Sequence, residues 1–321
     1  MSTQQQQSTN KSLSPAYLEA QTILTHLLTT LQLPSSPYNT AYSPWIARHG
    51  IPQLTTSILS YIRPPVWTVL SSSRWSLDSL KLISPHPGDL RYEGRAIYLN
   101  GVLGVDKKLR VYVGQTTCLR QRVGQHLNFR YRRDHPSLHY WGLQWSVYNI
   151  FAVLCVLPNS TGGSASVGTG MDEAGLAMNV LEMLMCLMFR SLPMESLREW
   201  LPSVVSKERR VSREGVVGGL NIACPLDQEI KGMDERQFVN LSDEEDELIQ
   251  DWLRVIYVEK ELENMEREYV EMRKKLYTEK ARGYNKHTEQ ESMYLPNWVV
   301  LGAAAVVVGF VLFRSNGGPR R

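Results

Sequence analysis

Arg122 and His126 stand four residues apart in the run LRVYVGQTTCLRQRVGQH, residues 109–126, so on a helix both side chains leave one face. Just upstream, Leu109, Val111 and Val113 alternate with Arg110 and Tyr112, the pattern of a short strand. Gly114 ends that strand, and Thr116 or Thr117 is placed to cap the following helix by accepting backbone N–H bonds. Leu119 and Val123 can hold the helix to a core. A strand edge delivering a tyrosine beside a helix face delivering arginine and histidine can make a phosphate site, because a guanidinium fork matches phosphate oxygens.

A second group with chemical potential is Glu182. It lies in the middle of an almost wholly apolar helical run, residues 172–192, carrying Leu176, Val180, Leu181, Leu184, Leu187 and Met188. A carboxylate there is costly to bury unpaired, so it must find water, a cation or a metal. His126, His135 and His139 also cluster, and the last two are helix-spaced, but without a third ligand at suitable spacing that pair makes a weak zinc site. The four cysteines, Cys118, Cys155, Cys186 and Cys224, form no CxxC pair and suggest neither a zinc knuckle nor a disulfide framework.

The elements that position these groups follow from the order of the chain. Its 321 residues allow one large or two modest domains, and 43% hydrophobic residues suffice for an ordinary core. A net charge of +3 does not by itself imply a nucleic-acid partner. Its distribution does more, because Lys107, Lys108, Arg110, Arg120, Arg122, Arg130, Arg132 and Arg133 form a cationic stretch. Phe129, Tyr131, Tyr140, Trp141, Trp145 and Tyr148 are interleaved with and follow it, a pattern that can stack bases but also serves as core.

Residues 1–14 are rich in Gln, Ser and Thr and read as a disordered tail. Residues 15–88 read as a helical region, with helices over 15–33, 45–62 and 66–82. Pro85, Pro87 and Gly88 mark the boundary of a central domain, residues 89–228. Within it, residues 96–99 and 109–113 suggest a hairpin whose connection contains Asn100-Gly101 and Asp106. A third strand is expected over 148–157, a flexible Gly/Ser/Thr linker over 161–170, and a closing Gly218-Gly219-Leu220-Asn221 segment.

Ser242 and Glu245 form a capping-box pattern opening a long charged helix, residues 242–291. Along it Val255, Val258, Leu262, Met265, Tyr269, Met272 and Leu276 recur at heptad spacing, which suits a homotypic coiled coil or one long packed helix. Residues 298–313 carry no charge and at 1.5 Å per residue cover about 24 Å, short of a hydrocarbon layer of about 30 Å. Leu295, the aromatic anchors Tyr294 and Trp298, and snorkelling Arg314 extend the reach. The expectation is a tail anchor over 295–313 with a basic tip over 314–321 and the body in the cytosol. The short, mild span favours a mitochondrial or peroxisomal outer membrane over the endoplasmic reticulum.

The order strand, Tyr112-Val113-Gly114, helix, Arg122, His126 resembles the core of the GIY-YIG nuclease superfamily, over residues 95–225. Ala96-Ile97-Tyr98 stands at the GIY triplet, Glu182 at the metal-binding glutamate of a later helix, and Asn221 at an asparagine near the domain's end. Ala96 replaces the first glycine, and the gap between the tyrosines is a few residues longer than usual. The resemblance implies an α+β fold with a small three-stranded antiparallel sheet flanked by helices. It also implies phosphodiester cleavage with one divalent metal, Mg²⁺ or Mn²⁺, held by Glu182.

The resemblance further implies that Arg122 holds a non-bridging oxygen and that Tyr98 or Tyr112 orients or deprotonates the attacking water. A tyrosine doing so near neutral pH needs its pKa of about 10 lowered by cation and metal charge. His126 would add a phosphate contact or proton relay. Lys107, Lys108, Arg110, Arg120, Arg130, Arg132, Arg133 and Asn221 would line the path of the nucleic acid, DNA foremost. The competing expectation is a catalytically idle relic acting as a membrane-tethered nucleic-acid-binding or scaffold protein.

Overall fold

The computed structural model describes residues 14–72, 75–158, 168–205, 216–228, 241 and 243–290. Contacts divide the chain into two units, Met1–Val255 and Ile256–Arg321.

The first unit opens with helices α1 (Pro15–Gln32), α2 (Asn39–His49), α3 (Ile51–Ser60), α4 (Pro64–Ser71) and α5 (Leu77–Lys81). Ser14 caps α1 by accepting from Tyr17 N, and Pro15 supplies the pre-set φ of a first helical position. The two helices expected over 45–62 and 66–82 are each divided in two. Gly50, at φ 80°, separates α2 from α3, a backbone angle that suits glycine best.

Strands β1 (Ala96–Gly104), β2 (Leu109–Thr116), β3 (Ser146–Val156) and β4 (Val216–Gly219) form one sheet in the order β3-β1-β2-β4. β1 pairs antiparallel with both β2 and β3, the three strands the sequence suggests. The three-stranded sheet is nonetheless a correction, because β4 adds a fourth strand parallel to β2. Asn221 fastens this edge: its amide donates to Val113 O at 2.7 Å and its carbonyl accepts from Val113 N at 2.9 Å. The hairpin turn is also corrected. Asn100 and Gly101 lie inside β1, and the chain reverses at residues 105–108, where Asp106 accepts from Lys108 N.

Sheet alternation gives the two faces different partners. Ile97, Leu99, Val111 and Val113 join the main core with α1–α4 and with α9 (Ala174–Phe189). Ala96 and Tyr98 face Leu119 and Val123 on α6 (Leu119–Leu127), with Phe151 and Val153 from β3. Val102 packs with Leu138, Tyr140 and Leu143 of α8 (Leu138–Gln144), which follows α7 (Phe129–Asp134). After α9 comes α10 (Met194–Trp200).

Among the described residues no single helix is long and apolar enough to cross a membrane; α9 extended back to Met171, and α10, pass only as a pair bent by 113°. α9 is almost wholly buried, and α10 buries Ser196, Leu197 and Trp200. The expected anchor over 295–313 lies outside the described residues, as do residues 1–13, 161–167, Ser242 and the tip over 314–321.

The long helix α11 (Glu247–Gln290) begins later than its sequence pattern suggests. Asp246 opens it, its carboxylate accepting from Leu248 N. In the second unit α11 leaves its heptad residues exposed.

Candidate active site

β1 and β2 bring the two tyrosines together. The register sets Tyr98 opposite Gly114 and Asn100 opposite Tyr112, so both phenols leave the face covered by α6 and α8, with ring centroids 6.3 Å apart. Gly114 is required by close approach: a Cβ there would lie 2.5 Å from Tyr98 Oη. The glycine of the YVG triplet therefore makes room for the first tyrosine.

α6 supplies the next two groups, though not through the expected cap. Cys118 is its N-cap residue and offers no side-chain bond; Thr116 Oγ1 instead accepts from Cys118 N at 3.1 Å. Leu119 and Val123 anchor the helix as their spacing suggests. His126 Nε2 meets Tyr98 Oη at 2.7 Å, and Arg122 Nε donates to the same oxygen at 3.4 Å. Arg122 Nη1 also donates to Gln125 Oε1 at 3.1 Å and to Tyr131 Oη at 3.3 Å. The guanidinium is thus held in one orientation, the condition for a bidentate oxyanion contact.

Burial controls the protonation states. Tyr98 and Tyr112 are pushed well above the ordinary phenol value, mainly by burial, while Arg122 pulls both partly back and Glu182 pushes both up. Among the chain's own groups burial outweighs the pull of Arg122, and both residues are neutral phenols. His126 falls to about 3, first by burial and then by the charges of Arg122 and Arg132, so its imidazole is neutral. His139 is held well below 6.5 for the same leading reason; it stacks on Tyr112 at 3.9 Å, and its Nε2 lies 2.8 Å from Asn100 Oδ1. Nδ1 of His126 is buried and has no hydrogen-bond partner.

In front of this cluster is a cleft of about 560 Å³ at the edge of β2 beyond β4. Its walls are Gln115, Thr116, Thr117 and Cys118 from the strand end, Gln121, Arg122 and Gln125 from α6, Gly175, Met178 and Asn179 from α9, with Arg95 and Gln228. Two arginines among amides and hydroxyls, with no acid in the lining, suit an anionic, polar ligand such as a phosphodiester.

Glu182 is buried, three residues along α9 from Asn179 and so on the same side of the helix. Gln228 Nε2 donates to Glu182 Oε2 at 2.8 Å. Gln115 Nε2 donates to Gln228 Oε1 at 2.8 Å and to Asn179 Oδ1 at 2.7 Å. The glutamate thus stands one residue behind the cleft wall, joined to it by an amide chain. Among the described residues no group of three or more His, Cys, Asp and Glu side chains comes together. The Glu182 carboxylate is an oxygen donor that suits Mg²⁺ or Mn²⁺, hard cations that keep several waters, while the Gln228 amide meets it through N–H and the Gln228 and Asn179 oxygens accept from Gln115.

The cationic stretch does not act as one patch. Arg110 is a correction: it is fully buried, donating to Asp246 at 2.6 Å through both Nε and Nη2 and to Asp106 at 2.6 and 3.1 Å. It cannot meet a nucleic acid. Asn221 is likewise committed to Val113 and is structural. Lys107 and Lys108 lie at the far end of the hairpin, about 23 Å from the cleft at 3.3 Å per strand residue. Arg120 is exposed and paired with Glu93, Arg132 donates to His126 O, and Arg130 and Arg133 are exposed on α7 beside Phe129.

Sequence reasoning missed Gln115, Asn179 and Gln228. Asn179 carried a signal, a second polar residue in the apolar run three positions before Glu182. Gln228 carried none. No family model, curated protein or solved structure matches the chain.

Proposed function

We propose that the chain is a GIY-YIG-type, metal-dependent endonuclease that cuts phosphodiester bonds in nucleic acid, DNA foremost, tethered to a membrane through residues 295–313. One observation carries the reading: Arg122 enters a cleft free of acids, its fork fixed from behind by Tyr98, Gln125 and Tyr131. The same cleft takes Asn179 and Gln228, the residues next to Glu182. Arg122 would bind a non-bridging phosphate oxygen, with Arg95 as a second positive charge on the cleft. Tyr98 keeps its proton and serves as a positioning residue, and neutral His126 holds the Tyr98 hydroxyl in place. Glu182 would hold Mg²⁺ or Mn²⁺, its carboxylate oriented by the Gln228 N–H; such a cation supplies charge stabilisation at a leaving oxygen.

A nucleic-acid-binding scaffold without cleavage is the second reading. It is favoured by the burial of both tyrosines, which leaves no phenolate to act as base. Incubating full-length protein with supercoiled DNA, with Mg²⁺ and with chelator, separates the two. The first reading predicts chelator-sensitive nicking. The second predicts salt-sensitive binding with no nicks in either condition.

A further inference from the structure

In the second unit α11 carries Val258, Leu262, Met265, Tyr269, Met272 and Leu276 along one stripe, each between 51% and 61% exposed. An apolar stripe of this length in water calls for a partner. The charges beside it identify which. Taking Leu262, Tyr269 and Leu276 as a positions and Val258, Met265 and Met272 as d positions, the flanking e and g positions are acidic first and basic afterwards. Glu259, Glu261, Glu266 and Glu268 precede the midpoint; Arg273, Lys275 and Lys280 follow it.

We propose that α11 pairs antiparallel with α11 of a second copy, with residues 265–276 forming the apolar seam and residues 259–264 lying opposite residues 277–282. Side by side in parallel, Glu268 would meet Arg273, but Glu261 would meet Glu266 and Lys275 would meet Lys280, like charges at both ends of the seam. Antiparallel, each acidic half meets a basic half. With Tyr269 packed on Met272 of the second copy and Met265 on its Leu276, Glu266 falls beside Arg273, Glu259 beside Lys280 and Glu268 beside Lys275. Each pair occurs twice by the two-fold symmetry. No contact is left repulsive among these positions, and four consecutive apolar layers close between Met265, Tyr269, Met272 and Leu276, with Leu262 opposite residue 279 and Val258 opposite residue 283. This pairing is independent of the nuclease reading.

Cysteine exchange on full-length protein tests both pairing and direction. In the antiparallel arrangement, a mixture of Glu266→Cys and Arg273→Cys proteins oxidises to a disulfide-linked dimer, and neither protein does so alone. Leu262→Cys alone links only if the helices run parallel, since an antiparallel arrangement sets the two copies of that position about 25 Å apart at 1.5 Å per residue. Light scattering of the unsubstituted chain should give twice the monomer mass, and Glu266→Lys with Glu268→Lys should weaken the dimer at least about tenfold. A disulfide from Leu262→Cys alone, or a monomeric mass, overturns the proposal.

Discussion

Tyr98 sits where three requirements meet: room over Gly114, a hydrogen bond with His126, and a contact with Arg122. Gly114→Ala removes the first and displaces the hydroxyl. Cleavage should fall about tenfold or more while the far-UV spectrum is unchanged; full activity would show that the hydroxyl's place is unimportant. His126 adds a pH dependence whose sign follows from its burial. Unfolded, its pKa is near 6.5; folded, it is about 3. Below pH 6.5 the unfolded chain binds a proton the folded chain refuses, so stability is present above 6.5 and drains away as pH falls toward 3. The slope is at most about 1.4 kcal/mol per pH unit per group, and His139 adds in the same direction. His126→Gln should flatten the decline of the denaturant midpoint between pH 6.5 and 5, and an unchanged slope would contradict the burial argument. These residues were legible in the sequence because local spacing fixes them: alternation in β2 and the four-residue step on α6. Arg110 was not, because the partner that removes it from the surface, Asp246, is 136 residues away.

At the scale of elements, that ion pair joins β2 to the start of α11. Asp246 both caps the helix and meets Arg110, and Gly218 on β4 leaves space for it, since a Cβ there would lie 2.6 Å from Asp246 Oδ2. Removing Asp246 leaves the buried Arg110 with only the part-exposed Asp106, so Asp246→Ala should destabilise the fold by about 1.5–3 kcal/mol. Denaturant unfolding measures it, and a loss below about 1 kcal/mol would mean that Arg110 finds water instead. The same element shows why the hairpin was misread. Asn100-Gly101 is a strong turn signal, yet Asn100 is a buried strand residue that donates to Ile150 O and meets His139. Its side-chain partners on β3 and α8 override the local preference. β4 escaped notice for a related reason: four residues with two glycines make no strand pattern, and it is the Asn221 bridge to Val113 that secures the edge.

The whole molecule joins a sheet-and-helix body to a long charged helix, with the proposed anchor following it in sequence. Deleting residues 295–321 should move the protein from the membrane pellet to the supernatant after alkaline extraction, and a full-length protein already in the supernatant would remove the anchor from the account. The central claim is that Arg122 and Glu182 serve one phosphodiester reaction, although no Glu182 oxygen lines the cleft itself. Its most direct test is the single-turnover nicking rate of full-length protein in Mg²⁺, compared with Arg122→Ala and Glu182→Gln at matched folding and DNA affinity. The account predicts a loss of at least about 100-fold in each. Undiminished nicking by either variant would contradict it.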